Sequence, residues 1–431
     1  MRIRNIFVSV TILVTLCLPR LSSSLERPQF YLHNGDRVVF YGDSITEQLR
    51  YTTYIETYCV TRFPKDHFTF VNSGWGGDRV TGGGGGPIDL RINRDILPYK
   101  PTVVTICLGM NDGGYQAFNP NLFRIYVNGY RHIITTLLKQ LPGVRITLLT
   151  APAFDDVTRP ANFPGGYNST LTAFNEAVKR LARQYHLTLA DTNAPLVAIL
   201  ARSVAADPKQ AIKIIPDRVH PSFGGHLIMA AAVLHAWNAP EDVAEVSVNS
   251  TTGTISLSKN THLSNMKVNS QTGEISFTET DDSFPWPIYR DPKTNPNTML
   301  ALTNSDVEKD LNNYRLQVTG LKPGSYLLKV DGTPIGQVTG EALQDGIDLA
   351  TLPTLPTNLQ SQKILALAFK HIFIHFKRWR VVQVPHSNGM TIPDNILKQM
   401  DALDRQEAQV DVDEHKAVQP AAHFIELIPQ V

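Results

Sequence analysis

The sequence predicts an α/β protein with a parallel sheet over residues 36–240, followed by a smaller β-rich unit. Three observations carry this. Short runs rich in Val, Ile, Leu and Phe recur between longer helical patterns. The runs alternate little between apolar and polar residues, as strands covered on both faces do. After Pro240 the texture changes to short β segments around glycine-containing turns.

Strands are expected at residues 38–41, 68–71, 103–108, 146–150 and 187–190, with helices at 47–62, 121–140, 169–185 and 223–237. Alternating strand and helix implies right-handed crossovers, and such sheets carry their chemistry at the carboxyl ends of the strands. Beyond residue 240, residues 248–256 recur as 268–276, sharing Val-Asn-Ser, Thr-Gly and Ile-Ser. Each copy reads as a hairpin. Further strands are expected at 314–318, 326–330 and 335–338, with Asp331-Gly332 as a turn. A helix near 358–379 and a polar tail follow.

At 431 residues the chain suits two or three domains, at ~100–200 residues each. Residues 1–24 read as an export signal: Arg2 and Arg4, an apolar run from Ile6 to Leu18, then Ser22, Ser23 and Ser24. The organisation expected is therefore 1–24 signal, 25–240 α/β domain, 241–350 β-rich unit, and 351–431 helical segment and tail. Localisation would be periplasmic or extracellular, with no stable membrane insertion once the signal is removed. Lys and Arg total 40 against 39 Asp and Glu, so no basic excess favours a nucleic-acid partner. After Cys17 of the signal, Cys59 and Cys107 remain, and both read as buried free thiols.

Chemistry concentrates in four places. In Tyr41-Gly42-Asp43-Ser44-Ile45-Thr46 a buried strand ends, and Ser44 emerges where a helix begins. Ser44 is either a nucleophile or a helix cap. Asp217-Arg218-Val219-His220-Pro221 precedes the last helix of the segment. One short loop there can aim an imidazole at Ser44 and a carboxylate at that imidazole; a surface Asp and a capping loop would read the same. Gly74, after the second strand, and Asn111, after the third, can donate hydrogen bonds into the strand-end cleft, or can be ordinary turn residues. Asp43, Trp75, Asp78 and Arg79 are candidates for the substrate wall, with Tyr115 and Phe154 as further aromatic ones. The five-glycine run 82–86 reads as a flexible loop near the cleft. No Gly-x-Ser-x-Gly elbow and no phosphate-binding loop occurs in the chain.

Taken in order, Gly42-Asp43-Ser44-Ile45, Gly74, Gly109-Met110-Asn111-Asp112 and Asp217-Arg218-Val219-His220-Pro221 resemble the four sequence blocks of the SGNH (GDSL-type) hydrolases. The resemblance covers about half of the chain. It implies a three-layer α/β/α, flavodoxin-like fold with a five-stranded parallel sheet, and serine ester hydrolysis without metal or organic cofactor. Carried over, Ser44 is the nucleophile, His220 the base and Asp217 its orienter. The Ser44 N–H, the Gly74 N–H and the Asn111 side chain form the oxyanion hole. The expected substrate is a small-molecule or glycan ester, foremost a carbohydrate O-acetyl group. The alternatives are lysophospholipase or thioesterase activity, or a non-catalytic glycan-binding protein. Nothing in the sequence sets the oligomeric state.

Overall fold

The computed structural model describes residues 29–291, 293–387 and 391–430. The expected export signal at 1–24 lies outside the described residues. Among the described residues no helix is long and apolar enough to cross a membrane.

The first sheet is parallel, in strand order β2-β1-β3-β4-β5: β1 Arg37–Gly42, β2 Thr69–Gly74, β3 Val103–Cys107, β4 Arg145–Leu149 and β5 Thr188–Ala190. This is the flavodoxin-like order, with the switch of direction between β1 and β3. Successive side chains of β1 point to opposite faces. Val38 and Phe40 join one apolar cluster, whereas Val39 and Tyr41 join the other. Both faces are therefore covered, and the result is three layers.

On the first face lie α2 (Arg50–Arg62), α6 (Ala194–Ala206) and α7 (Phe223–Ala236). On the second lie α3 (Ile88–Asp95) and α4 (Pro120–Gln140). α5 (Gly166–Gln184) sends Phe174, Val178 and Leu181 to that second face. α4 shows why its sequence is helical and one-sided. Asn119 caps it by accepting from Asn121 N at 2.9 Å, and Tyr126, Tyr130, Ile133, Ile134 and Leu137 form the buried stripe. The single helix expected over 47–62 is broken. Four-residue α1 (Ser44–Glu47) ends at Gln48, and Leu49, at φ 64°, turns the chain into α2.

The β-rich part is a sandwich of two sheets with one shared core. One sheet has the order β13-β10-β6-β7: β6 Asp242–Asn249, β7 Thr254–Lys259, β10 Asn313–Thr319 and β13 Ile347–Asp348. The other has the order β8-β9-β14-β11-β12: β8 Thr261–Val268, β9 Ile275–Asp281, β11 Ser325–Val330, β12 Thr333–Thr339 and β14 Ala422–Pro429. The two sequence repeats fold alike. Asn249 Oδ1 accepts from Thr251 N and Thr252 N, and Asn269 Oδ1 accepts from Gln271 N and Thr272 N. Yet the first copy joins β6 to β7 in one sheet, and the second joins β8 to β9 in the other.

The tail corrects the expectation of a polar end. α8 (Pro356–Phe376) runs into a widened π-helical stretch, Lys377–Gln383. α9 (Asp394–Ala417) follows, and the chain then places β14 in the middle of the second sheet. α8 crosses α2, where His371 Nδ1 meets Glu56 Oε1 at 2.7 Å in the buried contact.

Candidate active site

Gly42 ends β1 because α1 folds directly back over it. A Cβ there would stand 2.2 Å from Thr46 Oγ1 and 2.7 Å from Cys107 O. Asp43 then caps α1, its Oδ1 accepting from Ile45 N at 3.0 Å. Ser44, the first residue of α1, meets His220 Nε2 through its Oγ at 2.8 Å, and His220 Nδ1 meets Asp217 Oδ2 at 2.7 Å. A proton on Nδ1, held by the carboxylate, leaves Nε2 to accept from the serine hydroxyl.

The loop that aims these groups is tightly built. Asp217 Oδ1 accepts from Val219 N at 3.0 Å and from His220 N at 2.7 Å. Arg218, at φ 71°, is anchored by donating to Pro160 O at 2.9 Å. Burial pushes the Asp217 carboxyl up, but the bonds from the His220 N–H and ring and from the Val219 N–H outweigh it and hold the group below the usual value. Asp217 stays ionised, as an orienting carboxylate must. Asp43 is the opposite case. It is 1% exposed, and desolvation together with the Asp112 and Asp78 charges lifts it to about 8 against the pull of the Ile45 N–H.

The loop after β2 departs from expectation. β2 extends through Gly74, whose N–H donates to Asn72 Oδ1 at 3.0 Å. That donor is committed inside the sheet end, so Gly74 does not face the cleft. The groups that do come next. A Cβ on Gly76 would stand 3.9 Å from Ser44 Cβ, and Gly77 is exposed at φ 76°. Neither the Gly76 N–H, the Gly77 N–H nor the Ser44 N–H has a hydrogen-bond partner among the described residues. Asn111 is tied to the same loop: Nδ2 donates one hydrogen to Asp78 O, the residue after Gly77, at 3.0 Å and has a second to give, while Oδ1 accepts from Tyr115 OH at 2.9 Å. The extra strand residues were the missing signal. Of the three glycines in Gly74-Trp75-Gly76-Gly77, only those beyond the last sheet hydrogen bond can offer a free N–H.

The expected substrate wall is largely an internal support. Asp43, Trp75 and Asp78 are buried, and of those four candidates only Arg79 is exposed. Asp78 accepts from Arg91 Nε at 2.7 Å, and Trp75 lies under the guanidinium groups of Arg91, Arg94 and Arg380. The glycine run 82–86 forms a tiny hairpin whose glycines clear Trp75, Arg91 and Asp78; a Cβ on Gly85 would sit 2.6 Å from Arg91 Cδ and 2.7 Å from Trp75 Cδ2. The aromatic side that does reach solvent is Tyr115, 44% exposed and packed on Phe154 and Tyr167. Cys59 and Cys107 are free and buried.

Residues 40–228 match the model of the GDSL-like lipase/acylhydrolase family. Those residues form an SGNH (GDSL-type) hydrolase domain. The chain is an ester-hydrolysing enzyme. An acetylxylan esterase of Geobacillus stearothermophilus is 26% identical over 219 residues, 47% of this chain and 93% of that protein. A crystal structure of an acetylxylan esterase from the same organism covers 48% of this chain and 96% of its own, at 25% identity and a TM-score of 0.39. The solved structure of a gut microbial diltiazem-metabolizing enzyme covers 94% of this chain and 99% of its own, with a TM-score of 0.75 and 24% identity. The whole architecture, sandwich and C-terminal helices included, is thus a fold seen before.

Proposed function

We propose that this SGNH hydrolase removes short acyl groups, foremost O-acetyl groups of carbohydrates, through an acyl-enzyme on Ser44. The observation that carries the reading is the unbroken relay from Asp217 Oδ2 through His220 to Ser44 Oγ, at 2.7 and 2.8 Å. His220 Nε2 takes the Ser44 proton as Oγ attacks the ester carbonyl. The negative charge then grows on the carbonyl oxygen, where the Ser44 N–H, the free N–H groups of the Gly76–Gly77 step and the second Asn111 Nδ2 hydrogen converge on it. The carbon–oxygen bond to the alcohol breaks, and the alcohol leaves with the proton from His220. Water, deprotonated by the same Nε2, releases the acid and restores Ser44.

The acetyl preference draws support from the acetylxylan esterase relative. The exposed Tyr115 ring beside Asn111 also suits the apolar face of a sugar. Export, expected from residues 1–24, is part of the same proposal; an N-terminus beyond Ser24 on protein recovered outside the cytoplasm checks it. The enzymatic test is hydrolysis of 4-nitrophenyl esters from acetate to octanoate, with Ser44→Ala in parallel. Acetate preference that Ser44→Ala abolishes is the expected result. A longer-chain optimum would move the substrate to lipids, and turnover independent of Ser44 would remove the mechanism.

A further inference from the structure

The C-terminal segment reaches the floor of the active site from some 300 residues away in sequence, and it arrives with charge. Around Trp75 stand three guanidinium groups, from Arg91, Arg94 and Arg380, and three carboxylates, from Glu47, Asp78 and Asp95. Arg91 and Arg94 are taken up by Asp78 and Asp95: Arg91 Nε reaches Asp78 Oδ2 at 2.7 Å, Arg91 also pairs with Asp95, and Arg94 Nη2 reaches Asp95 Oδ2 at 2.7 Å. Glu47 is left to Arg380, whose Nη2 lies 3.5 Å from Oε1, its one ion-pair partner among the described residues.

Glu47 is not a remote surface group. It ends α1, three residues on from Ser44. A side chain begun at Gly76 would stand 2.8 Å from Glu47 Oε2 and 3.9 Å from Ser44 Cβ, so the carboxylate, Ser44 and the loop with the free N–H groups all meet there. A bare carboxylate at that place would oppose any negative charge developing at the carbonyl oxygen. Arg380 cancels it, and its guanidinium also covers the Trp75 ring, one residue before Gly76. The neighbouring residue fixes where Arg380 can be. Trp379 is fully buried, edge-on to Trp75, and its Nε1 donates to Asp95 Oδ1 at 2.7 Å.

We propose that Arg380 is a positioning residue for ester hydrolysis: from the C-terminal segment it neutralises Glu47 beside Ser44 and holds Trp75, and with it the Gly76–Gly77 N–H groups, against the reacting carbonyl. This rests on the Ser44 reading above. It makes the C-terminal half a contributor to turnover rather than an appendage to the catalytic layers.

The experiment is kcat and KM on 4-nitrophenyl acetate for the full chain, with Arg380→Ala, Arg380→Gln, Arg380→Ala combined with Glu47→Gln, and Ser44→Ala. An unscreened like charge at this range should lower kcat about tenfold to a hundredfold in Arg380→Ala, with KM changed less than about threefold. Removing the stranded charge with Glu47→Gln in that background should recover most of the loss, which a merely structural prop would not allow. Should Arg380→Ala not fold, Arg380→Gln keeps a planar group over Trp75 without the charge and carries the same comparison. Wild-type kcat in the Arg380 variants overturns the proposal, as does a fall that Glu47→Gln leaves in place. Absence of Ser44-dependent turnover in the unsubstituted chain is a different result and removes the Ser44 reading together with this one.

Discussion

Replacing Asp43 by Asn should stabilise the protein at neutral and alkaline pH and change little near pH 4. The Asp43 carboxyl is 1% exposed, and burial, with Asp112 and Asp78 nearby, raises it from 3.8 to about 8. In the unfolded chain it titrates at the ordinary value. Between those two values the folded protein therefore holds a proton that the unfolded chain has released, and stability falls as pH rises through the window. At pH 7 some three pH units of that window have been crossed, which at ~1.4 kcal/mol per unit is on the order of 4 kcal/mol. An Asn keeps the oxygen that accepts from Ile45 N and has no charge to lose. Asp112, raised to about 7 by burial, contributes with the same sign but is present in both proteins. Urea unfolding of the two proteins at pH 4, 7 and 9 reads the difference. A gap in favour of Asn that widens with pH up to about 8 and then levels is the expected outcome. An Asn variant that is destabilised equally at all three would refute the neutral, buried carboxyl.

Two further outcomes follow from contacts at the site and in the sandwich. Asn111→Ala removes the side-chain donor tied to the loop of Gly76 and Gly77 and should lower kcat by ~10²–10³, with little effect on the thermal midpoint; near-wild-type turnover would exclude Asn111 from the oxyanion site. Leu427→Ala empties a fully buried position of β14 and should cost about 2–5 kcal/mol in urea unfolding of the sandwich, whereas Phe424→Ala, at 39% exposure on the same strand, should stay within about 0.5 kcal/mol.

The α/β layers were legible because a strand buried on both faces reads as a nearly continuous apolar run, and the runs beginning at Val38, Val103 and Ile146 do, broken only by Thr105 and Thr147. The relay was legible because Ser44 opens the helix that follows β1, while Asp217 and His220 share one short loop before α7. What failed were distinctions that depend on one or two residues of strand or on distant partners. Gly74 and Gly77 look equivalent until β2 is seen to run on through Gly74 and commit its N–H. Trp75 and Asp78 sit in a loop at the cleft, where exposure is the natural expectation. Their burial depends on Arg91 and Arg94 from α3 and on Trp379 and Arg380 some 300 residues later. The glycine hairpin is mute in the same way, because its missing side chains make room for Trp75 and Arg91, partners that the run itself does not name.

The same long-range dependence runs through the catalytic layers themselves. Trp286, Ile288, Ala301, Leu302 and Leu311, all beyond Pro240, belong to the apolar cluster that covers the α2 face of the parallel sheet. Trp286 packs edge-on against Tyr54 and Tyr58 and donates its Nε1 to Tyr54 O at 2.9 Å. Arg62, buried at the end of α2, donates to the carbonyls of Pro240, Asp242 and Leu311 at 2.8, 2.9 and 3.0 Å, and so ties two later stretches of the chain to one side chain. Stripping these partners away would leave Tyr54, Tyr58 and a buried guanidinium facing water or unpaired, which is costly on both the apolar and the polar account. The chain also closes on itself, since β14, nearly its last segment, fills the middle of a sheet begun some 160 residues earlier. In this chain the face of α2 turned from the sheet is covered by the later half of the sequence, through Trp286 on Tyr54 and Tyr58 and through His371 on Glu56.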